Sequence, residues 1–298
     1  MRLIDSHGHV QADRFGGDAE LVIGAARLAG VERLLVPGWD PASSAAAVEM
    51  VGRYPWLDAA VGVHPHDSAS VDDAAWAGIV ELAADPRVRA IGETGLDTDR
   101  GFAPFDAQLT NLRRNLALAL ATGKPAILHC RSKPGERDAQ DALVAELRRA
   151  GFDRNAAGLS AGLAWPALAG FAGLAGSSSA EPALAAFGGR PPAIIHSYSG
   201  PLDYGRTVIE MGLAISFSGL VFRPGEEASA DVARLVPPER LLVETDAPFL
   251  PPPGAPRKRN EPEWVRITAA WLAKQRNESP DALGDGLVAA YDFILGRA

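Results

Sequence analysis

The residues able to do chemistry in this chain are few and oddly placed. The stretch Asp5-Ser6-His7-Gly8-His9 sets two histidines two residues apart near the N-terminus. In an extended segment, side chains at i and i+2 share a face, so two imidazoles would point at one spot. Alone, such a pair serves equally as two hydrogen-bonded histidines. The chain has only six histidines, however, and the other four, His64, His66, His129 and His196, each stand where an apolar, β-like run ends. Glu93 and Asp246 close two further runs, and a carboxylate on a buried strand calls for a partner or a cation. Four imidazoles and two carboxylates suffice for a pair of divalent metal ions with positions left for water. Two cations sharing a water lower its pKa and clamp the attacking and leaving oxygens of a hydrolysis. The bridge between them must be a carboxylate at the centre of the site, and Glu93 supplies it, since no lysine ends a strand to carry a carbamate instead. Asp246 is the natural group to take a proton from the nucleophile. The choice among Zn, Mg and Mn stays open.

Such residues need a frame that delivers strand ends to one place. Apolar runs near residues 3–10, 33–39, 57–64, 88–97, 126–130, 193–199, 213–220 and 240–246 read as strands. Helical stretches follow each of them, near 18–29, 41–54, 71–84, 105–121, 136–150, 202–211, 226–235 and 261–276, and one more runs near 280–295. This alternation implies parallel strands with helical crossovers. Eight units in 298 residues match an α/β fold of the (β/α)8 TIM barrel type with an extra C-terminal helix. A doubly wound sheet is the competitor, but it usually shows a glycine-rich phosphate loop after its first strand, where this chain has His7-Gly8-His9. In barrels of this kind chemistry collects at the C-terminal strand ends, and all six histidines fall there with Glu93 and Asp246. The expected organisation is one barrel domain over 1–298 with an Ala/Gly-rich insertion at about 151–192. As a helix-to-strand connection, that insertion is expected on the face opposite the chemistry.

Composition narrows the partners. The net charge of −8 argues against a broad, sequence-independent grip on nucleic acid, which needs an extended basic surface. It leaves room for a site that holds one strand end or a small phosphate. Only four lysines occur among the 29 basic residues, and that arginine bias reflects coding composition rather than function. No apolar run approaches membrane-spanning length, no signal-peptide pattern opens the chain, and the single Cys130 suits a reducing compartment. The expectation is a cytoplasmic protein without membrane contact, of unknown oligomeric state.

Seven short blocks then combine into a resemblance. Asp5-Ser6-His7-Gly8-His9, Gly62-Val63-His64-Pro65-His66, Ile91-Gly92-Glu93-Thr94-Gly95-Leu96-Asp97 and Leu128-His129-Cys130-Arg131 come first. They are followed by His196-Ser197-Tyr198-Ser199-Gly200, Glu244-Thr245-Asp246-Ala247-Pro248-Phe249-Leu250 and Arg259-Asn260-Glu261-Pro262. Together they resemble the TatD family of metal-dependent hydrolases, within the amidohydrolase-type barrels, from residue 3 to about 295. The resemblance implies two divalent metals and hydrolysis of phosphodiesters, commonly as a deoxyribonuclease. It implies that His7, His9 and Asp246 hold one ion, that Glu93 bridges both, and that His129 and His196 hold the second. His64 is similar to the family's substrate-contacting histidine. Ser197-Tyr198 stands where Cys-Phe is usual, and Ser132-Lys133-Pro134-Gly135 replaces a short acidic turn.

Arg131, beside His129, is suited to bidentate phosphate contact. Arg223, Arg257, Lys258 and Arg259 fall in loops on the same rim and would add a local positive funnel. Trp39 and Phe222 lie on the catalytic side and are candidates for stacking a base, although core or loop packing is the cheaper explanation of each. His66 reads as a neighbour of the site and Cys130 as a buried residue facing away; Asp97 either orients a ligand histidine from behind or, the preferred reading, caps the next helix. The expected function is cleavage of phosphodiester bonds, preferring single-stranded or frayed DNA ends. The alternatives are hydrolysis of an amide, lactone or carboxylic ester on the same barrel, and a scaffold with a vestigial site. The second would have lost ligands at random, and none is missing.

Overall fold

The computed structural model describes residues 1–155, 183–256 and 258–297. Eight parallel strands run in sequence order around a barrel: β1 (Leu3–Asp5), β2 (Val31–Pro37), β3 (Leu57–Val61), β4 (Val88–Asp97), β5 (Ala126–Arg131), β6 (Ala193–Ile195), β7 (Ala214–Phe217) and β8 (Leu241–Val243). Closure between β8 and β1 is made just past their ends. There Ser6 N donates to Val243 O, Asp246 N to His7 O and His9 N to Ala247 O. The described helices are α1 (Ala19–Leu28), α2 (Pro41–Val51), α3 (Asp73–Ala83), α4 (Phe105–Thr122), α5 (Asp138–Arg149), α6 (Leu202–Glu210), α7 (Ala228–Leu235), α8 (Val265–Arg276) and α9 (Pro280–Ile294). This is the (β/α)8 barrel with an additional C-terminal helix.

Local chemistry explains the breaks. Asp40 caps α2 by accepting from Ser43 N, with Pro41 at the first helical position where its missing N–H is harmless. Gly123 ends α4 in a left-handed conformation at φ 63°. Several strands stop short of the expected limits. The run at 3–10 is ladder-paired only over β1, and 193–199 only over β6. Beyond those limits the residues turn into the barrel mouth, so pairing persists only at single points, as where Gly8 N donates to Leu35 O and Tyr198 N to Ser216 O, beside local bonds such as His7 N to Asp5 Oδ1.

The two ends of the barrel divide the work. α9 lies across the N-terminal end, where Tyr291 Oη donates to buried Asp58 Oδ2 at 2.9 Å and Arg33 pairs with Asp292 at 2.8 Å. Lys124 donates to the carbonyls of Ala83 and Asp85 there, far from any role as a metal bridge. At the other end, β4 is irregular in register between Ile91 and Thr94, with Ile91 opposite Ala126 and Thr94 opposite Leu128. An extra residue in a strand re-aims the side chain it carries, and here that side chain is Glu93. Gly95, at φ 148°, faces His129 so closely that a Cβ would overlap the His129 carbonyl. Only glycine lets β4 and β5 stay in register there.

The expected bottom-face position of the 151–192 insertion falls largely on residues 156–182, outside the described residues. Its described flanks attach to helix-to-strand connections, with Arg154 N donating to Met211 O and Arg190 Nη2 to Gly123 O.

Candidate active site

The site is built around one buried carboxylate. Glu93 is 3% exposed and meets five imidazoles. Its Oε2 lies 3.2 Å from His7 Nε2 and 3.5 Å from His9 Nε2. Its Oε1 lies 2.8 Å from His196 Nε2, 3.2 Å from His129 Nδ1 and 3.3 Å from His64 Nε2. Asp246 Oδ1 is 3.7 Å from His9 Nε2 and 3.9 Å from His7 Nε2. Asp246 reaches inward on a left-handed backbone, φ 56°, a strained conformation of the kind that gathers at working sites.

What each ring offers is decided by its far nitrogen, because an oxygen acceptor must meet an N–H. His9 Nδ1 faces the Pro37 carbonyl at 3.1 Å, so in the neutral ring the proton sits there and Nε2 keeps its lone pair. His196 Nδ1 faces Glu244 Oε1 at 3.1 Å and likewise frees Nε2. His129 Nε2 faces Asp97 Oδ2 at 3.2 Å, so Nδ1 is the free nitrogen. Three lone pairs from three strand ends therefore converge on Glu93. His64 is the opposite case: its Nδ1 accepts from His66 N at 3.1 Å, which puts the proton on Nε2. That ring presents a donor, not a lone pair. The neighbouring cluster of His64, His66 and His129 is compact enough for a metal but chemically wrong for one, since His64 has no nitrogen left to give.

The electrostatics show the same competition. Burial opposes charge on every ring. It pushes His7 and His64 down to about 4. Around His196 it is outweighed by Glu93 and Glu244, which hold that ring well above its usual value. For His129 burial is outweighed by Asp97 and Glu93, and for His9 by Glu93, so both are raised. Glu93 is held well below the carboxylate range because His196, His64 and His7 outweigh its burial. Burial lifts Asp246 to about 7, with His196 and His9 acting against the rise. Protons and divalent cations would thus compete for one set of atoms.

A layer of buried groups behind the rings was given no role from the sequence. Asp5 Oδ2 accepts from Thr245 Oγ1 at 2.6 Å and its Oδ1 from Thr245 N at 2.9 Å, tying the His7 and Asp246 loops together. Burial pushes its carboxyl up to about 8. Asn260 Nδ2 donates to Thr245 O at 2.9 Å, which gives the Arg259-Asn260-Glu261-Pro262 block its structural purpose. Glu244 orients His196. The available signal was position: Asp5 precedes His7 by two residues, and Glu244 precedes Asp246 by two. Asp97 is not a cap for α4, which starts eight residues later at Phe105. Its Oδ2 accepts from His66 Nε2 at 2.8 Å as well as from His129, while Oδ1 accepts from Asp99 N and Arg100 N.

Above the site is a cavity of about 760 Å³. Trp39 lines it beside His9, whereas Phe222 packs on Trp271 instead. Arg131 lines it with its Nε bonded to Asp99 Oδ2 at 2.7 Å. Of the expected funnel only Lys258 lines the cavity; Arg259 is engaged by Asp18 and Glu261, and Arg257 lies outside the described residues. Arg14 and Arg100 line it in their place, with Phe102 and Phe249. Cys130 is buried, as expected, though its residue still touches the cavity wall.

The chain matches the family described as TatD related DNase over residues 4–292. It is 32% identical over 274 residues, 91% of its length and 90% of the relative's, to the Bacillus subtilis protein named uncharacterized metal-dependent hydrolase YabD. It is 31% identical over 282 residues, 93% and 91% of the two chains, to the Klebsiella pneumoniae protein named 3'-5' ssDNA/RNA exonuclease TatD. The solved structure of YJJV, a TatD homologue from Escherichia coli, superposes with a TM-score of 0.80 at 25% identity, covering 100% of this chain and 99% of that one. The family match spans the whole barrel, and every histidine and carboxylate described above lies within it: the chain belongs to the TatD related DNase family.

Proposed function

We propose that the protein hydrolyses phosphodiester bonds in single-stranded nucleic acid, acting at strand ends, with a pair of divalent metal ions. His7, His9 and Asp246 would hold one ion, His129 and His196 the other, and Glu93 would be shared between them. When bound, the ions supply a nucleophilic hydroxide near neutral pH and neutralise charge on the phosphate. The chain's own residues do the rest. His64 Nε2–H donates to a non-bridging phosphate oxygen, adding a charge-compensating hydrogen bond where negative charge builds. Asp246 Oδ1 takes the proton of the attacking water. Asp5, Asp97 and Glu244 hold the rings and loops so that nothing reorganises during the reaction.

One observation carries this reading: three imidazole lone pairs, each fixed by an outward hydrogen bond, meet at one buried carboxylate under an Arg- and aromatic-lined cavity. The names of the Klebsiella and Bacillus relatives support it. The strand-end preference rests on shape, because a rigid duplex is too wide to bring its backbone down to Glu93 inside a cup of loops. Residues 1–298 are read as one barrel domain with an insertion at about 151–192. Among the described residues no helix is long and apolar enough to cross a membrane, and a cytoplasmic setting fits the single buried cysteine.

The test is metal-stripped protein reloaded with Zn, Mg or Mn. It is offered single-stranded DNA, RNA, duplex DNA, bis(p-nitrophenyl) phosphate and a neutral lactone. Metal-dependent cleavage of the single strands ahead of the duplex is expected. Turnover of the lactone with every phosphodiester left intact would replace this reading with the amide or ester one.

A further inference from the structure

Two phenylalanines on the cavity rim are exposed beyond what packing requires. Phe249 is 48% exposed and Phe102 is 70% exposed. Each stands edge-on to a different histidine of the site. The Phe249 ring centroid is 6.2 Å from that of His9, which faces Glu93 Oε2. The Phe102 centroid is 4.7 Å from that of His66, which joins the His64 and His129 rings facing Glu93 Oε1. The two aromatic faces therefore flank the central carboxylate on its two oxygen sides. Phe249 is anchored close to the chemistry, three residues past Asp246, with its N–H donating to Asp246 O at 2.7 Å.

The cations of the rim are unequal on the two flanks. The Arg14 guanidinium carbon lies 5.6 Å from the Phe249 centroid, and Arg14 Nη2 donates to Lys258 O at 3.0 Å. Among the described residues neither Arg14 nor Lys258 has a carboxylate within ion-pair distance, although Asp13 shares the rim. On the Phe102 flank, Arg131 is bound to Asp99 at 2.7 Å and Arg100 lies 3.9 Å from it. That pair of cations is already partly neutralised.

We propose that Phe249 with Arg14 and Lys258 forms a nucleotide subsite that stacks an unpaired base and holds the next phosphate of the strand, while Phe102 stacks the base released on the other flank. The inference rests on the nuclease reading above and adds direction to it. The body of the strand runs out over the Phe249 flank, where free positive charge remains, and the terminal nucleotide sits on the Phe102 flank. A stacked duplex base offers no face to either ring, so the two platforms also select single strands.

The experiment compares a single-stranded hexadeoxynucleotide with the same backbone carrying abasic sites, by steady-state kinetics and by fluorescence anisotropy in the absence of turnover. The wild-type protein is expected to prefer the strand with bases. Phe249→Leu should shrink that preference roughly 5- to 150-fold, the range of one base–aromatic stack. Arg14→Gln should weaken both strands alike and remove the gain in affinity between a dinucleotide and the hexamer, whereas Arg131→Gln should leave that gain in place. Thermal unfolding checks that each variant is folded. If Phe249→Leu keeps the full preference for bases, or the gain with length depends on Arg131 and not on Arg14, the subsite is refuted. Failure of wild-type protein to bind or cut any strand would instead overturn the nuclease reading itself.

Discussion

Asp97→Asn tests the ring-orientation argument most sharply. The carboxylate can only accept, and its Oδ2 takes hydrogen bonds from His129 Nε2 at 3.2 Å and His66 Nε2 at 2.8 Å. Oδ1 is committed to the N–H groups of Asp99 and Arg100, both at 2.9 Å. An asparagine would keep its carbonyl on those two backbone donors and turn its NH2 toward the rings. His129 would then have to offer a lone pair at Nε2 and move its proton to Nδ1, the nitrogen that faces Glu93 Oε1. The ring would stay in place with the wrong atom protonated. Outer-layer changes of this kind typically lower metal affinity or activity by about 10- to 100-fold, equivalent to roughly 1.4–2.8 kcal/mol. Two charge-assisted hydrogen bonds also become neutral ones, so the metal-free protein should lose about 1–3 kcal/mol of stability. The assay is metal titration of single-strand cleavage, with metal binding followed separately by calorimetry. In the proposed two-ion site, the ion held by His129 should bind about 10- to 100-fold more weakly, and excess metal should restore part of the rate. Wild-type affinity and rate in Asp97→Asn would show that His129 does not use Nδ1, and the argument from outward partners would fall with it.

Other expectations follow from the same geometry. Glu93→Gln should lower turnover by more than the roughly 100-fold reached by outer-layer changes, and metal analysis should find under two ions per chain. Charge reversal at Arg131 should raise KM for a nucleotide substrate about 5-fold while kcat changes little, a modest effect because the side chain is 38% exposed and shared with Asp99; an unchanged KM would remove it from the substrate path. Because few phosphates are held at once, KM should depend weakly on salt, with a log–log slope of magnitude about 2 for two to three single-strand contacts. A slope several times steeper would mean an extended basic track. Tyr291→Phe should lower stability by about 1–2 kcal/mol, since it leaves buried Asp58 short of a donor. Activity at 25 °C should be unaffected because α9 closes the far end of the barrel; a matching loss of kcat would contradict that separation.

The sequence alone was sufficient for the barrel, because eight apolar runs alternating with helical stretches leave few ways to bury both. It was sufficient, too, for the ring of candidate residues, because parallel strands place all their C-terminal ends on one rim. His7, His9, His64, Glu93, His129, His196 and Asp246 could be named from position along the chain. What each of them offers could not. Which nitrogen of His9, His129 or His196 is free depends on Pro37, Asp97 and Glu244, which lie 28, 32 and 48 residues away from them. Asp5 gains its meaning from Thr245 across the barrel seam, and Asn260 from the same residue 15 positions back along its own loop. Arg14, Phe102 and Phe249 look like ordinary loop residues in sequence; they meet over the site only because loops from different strands share one mouth. Propensity and periodicity are local and survive in the sequence. Proton placement and rim charge depend on contacts between distant segments, and only the closed barrel decides them.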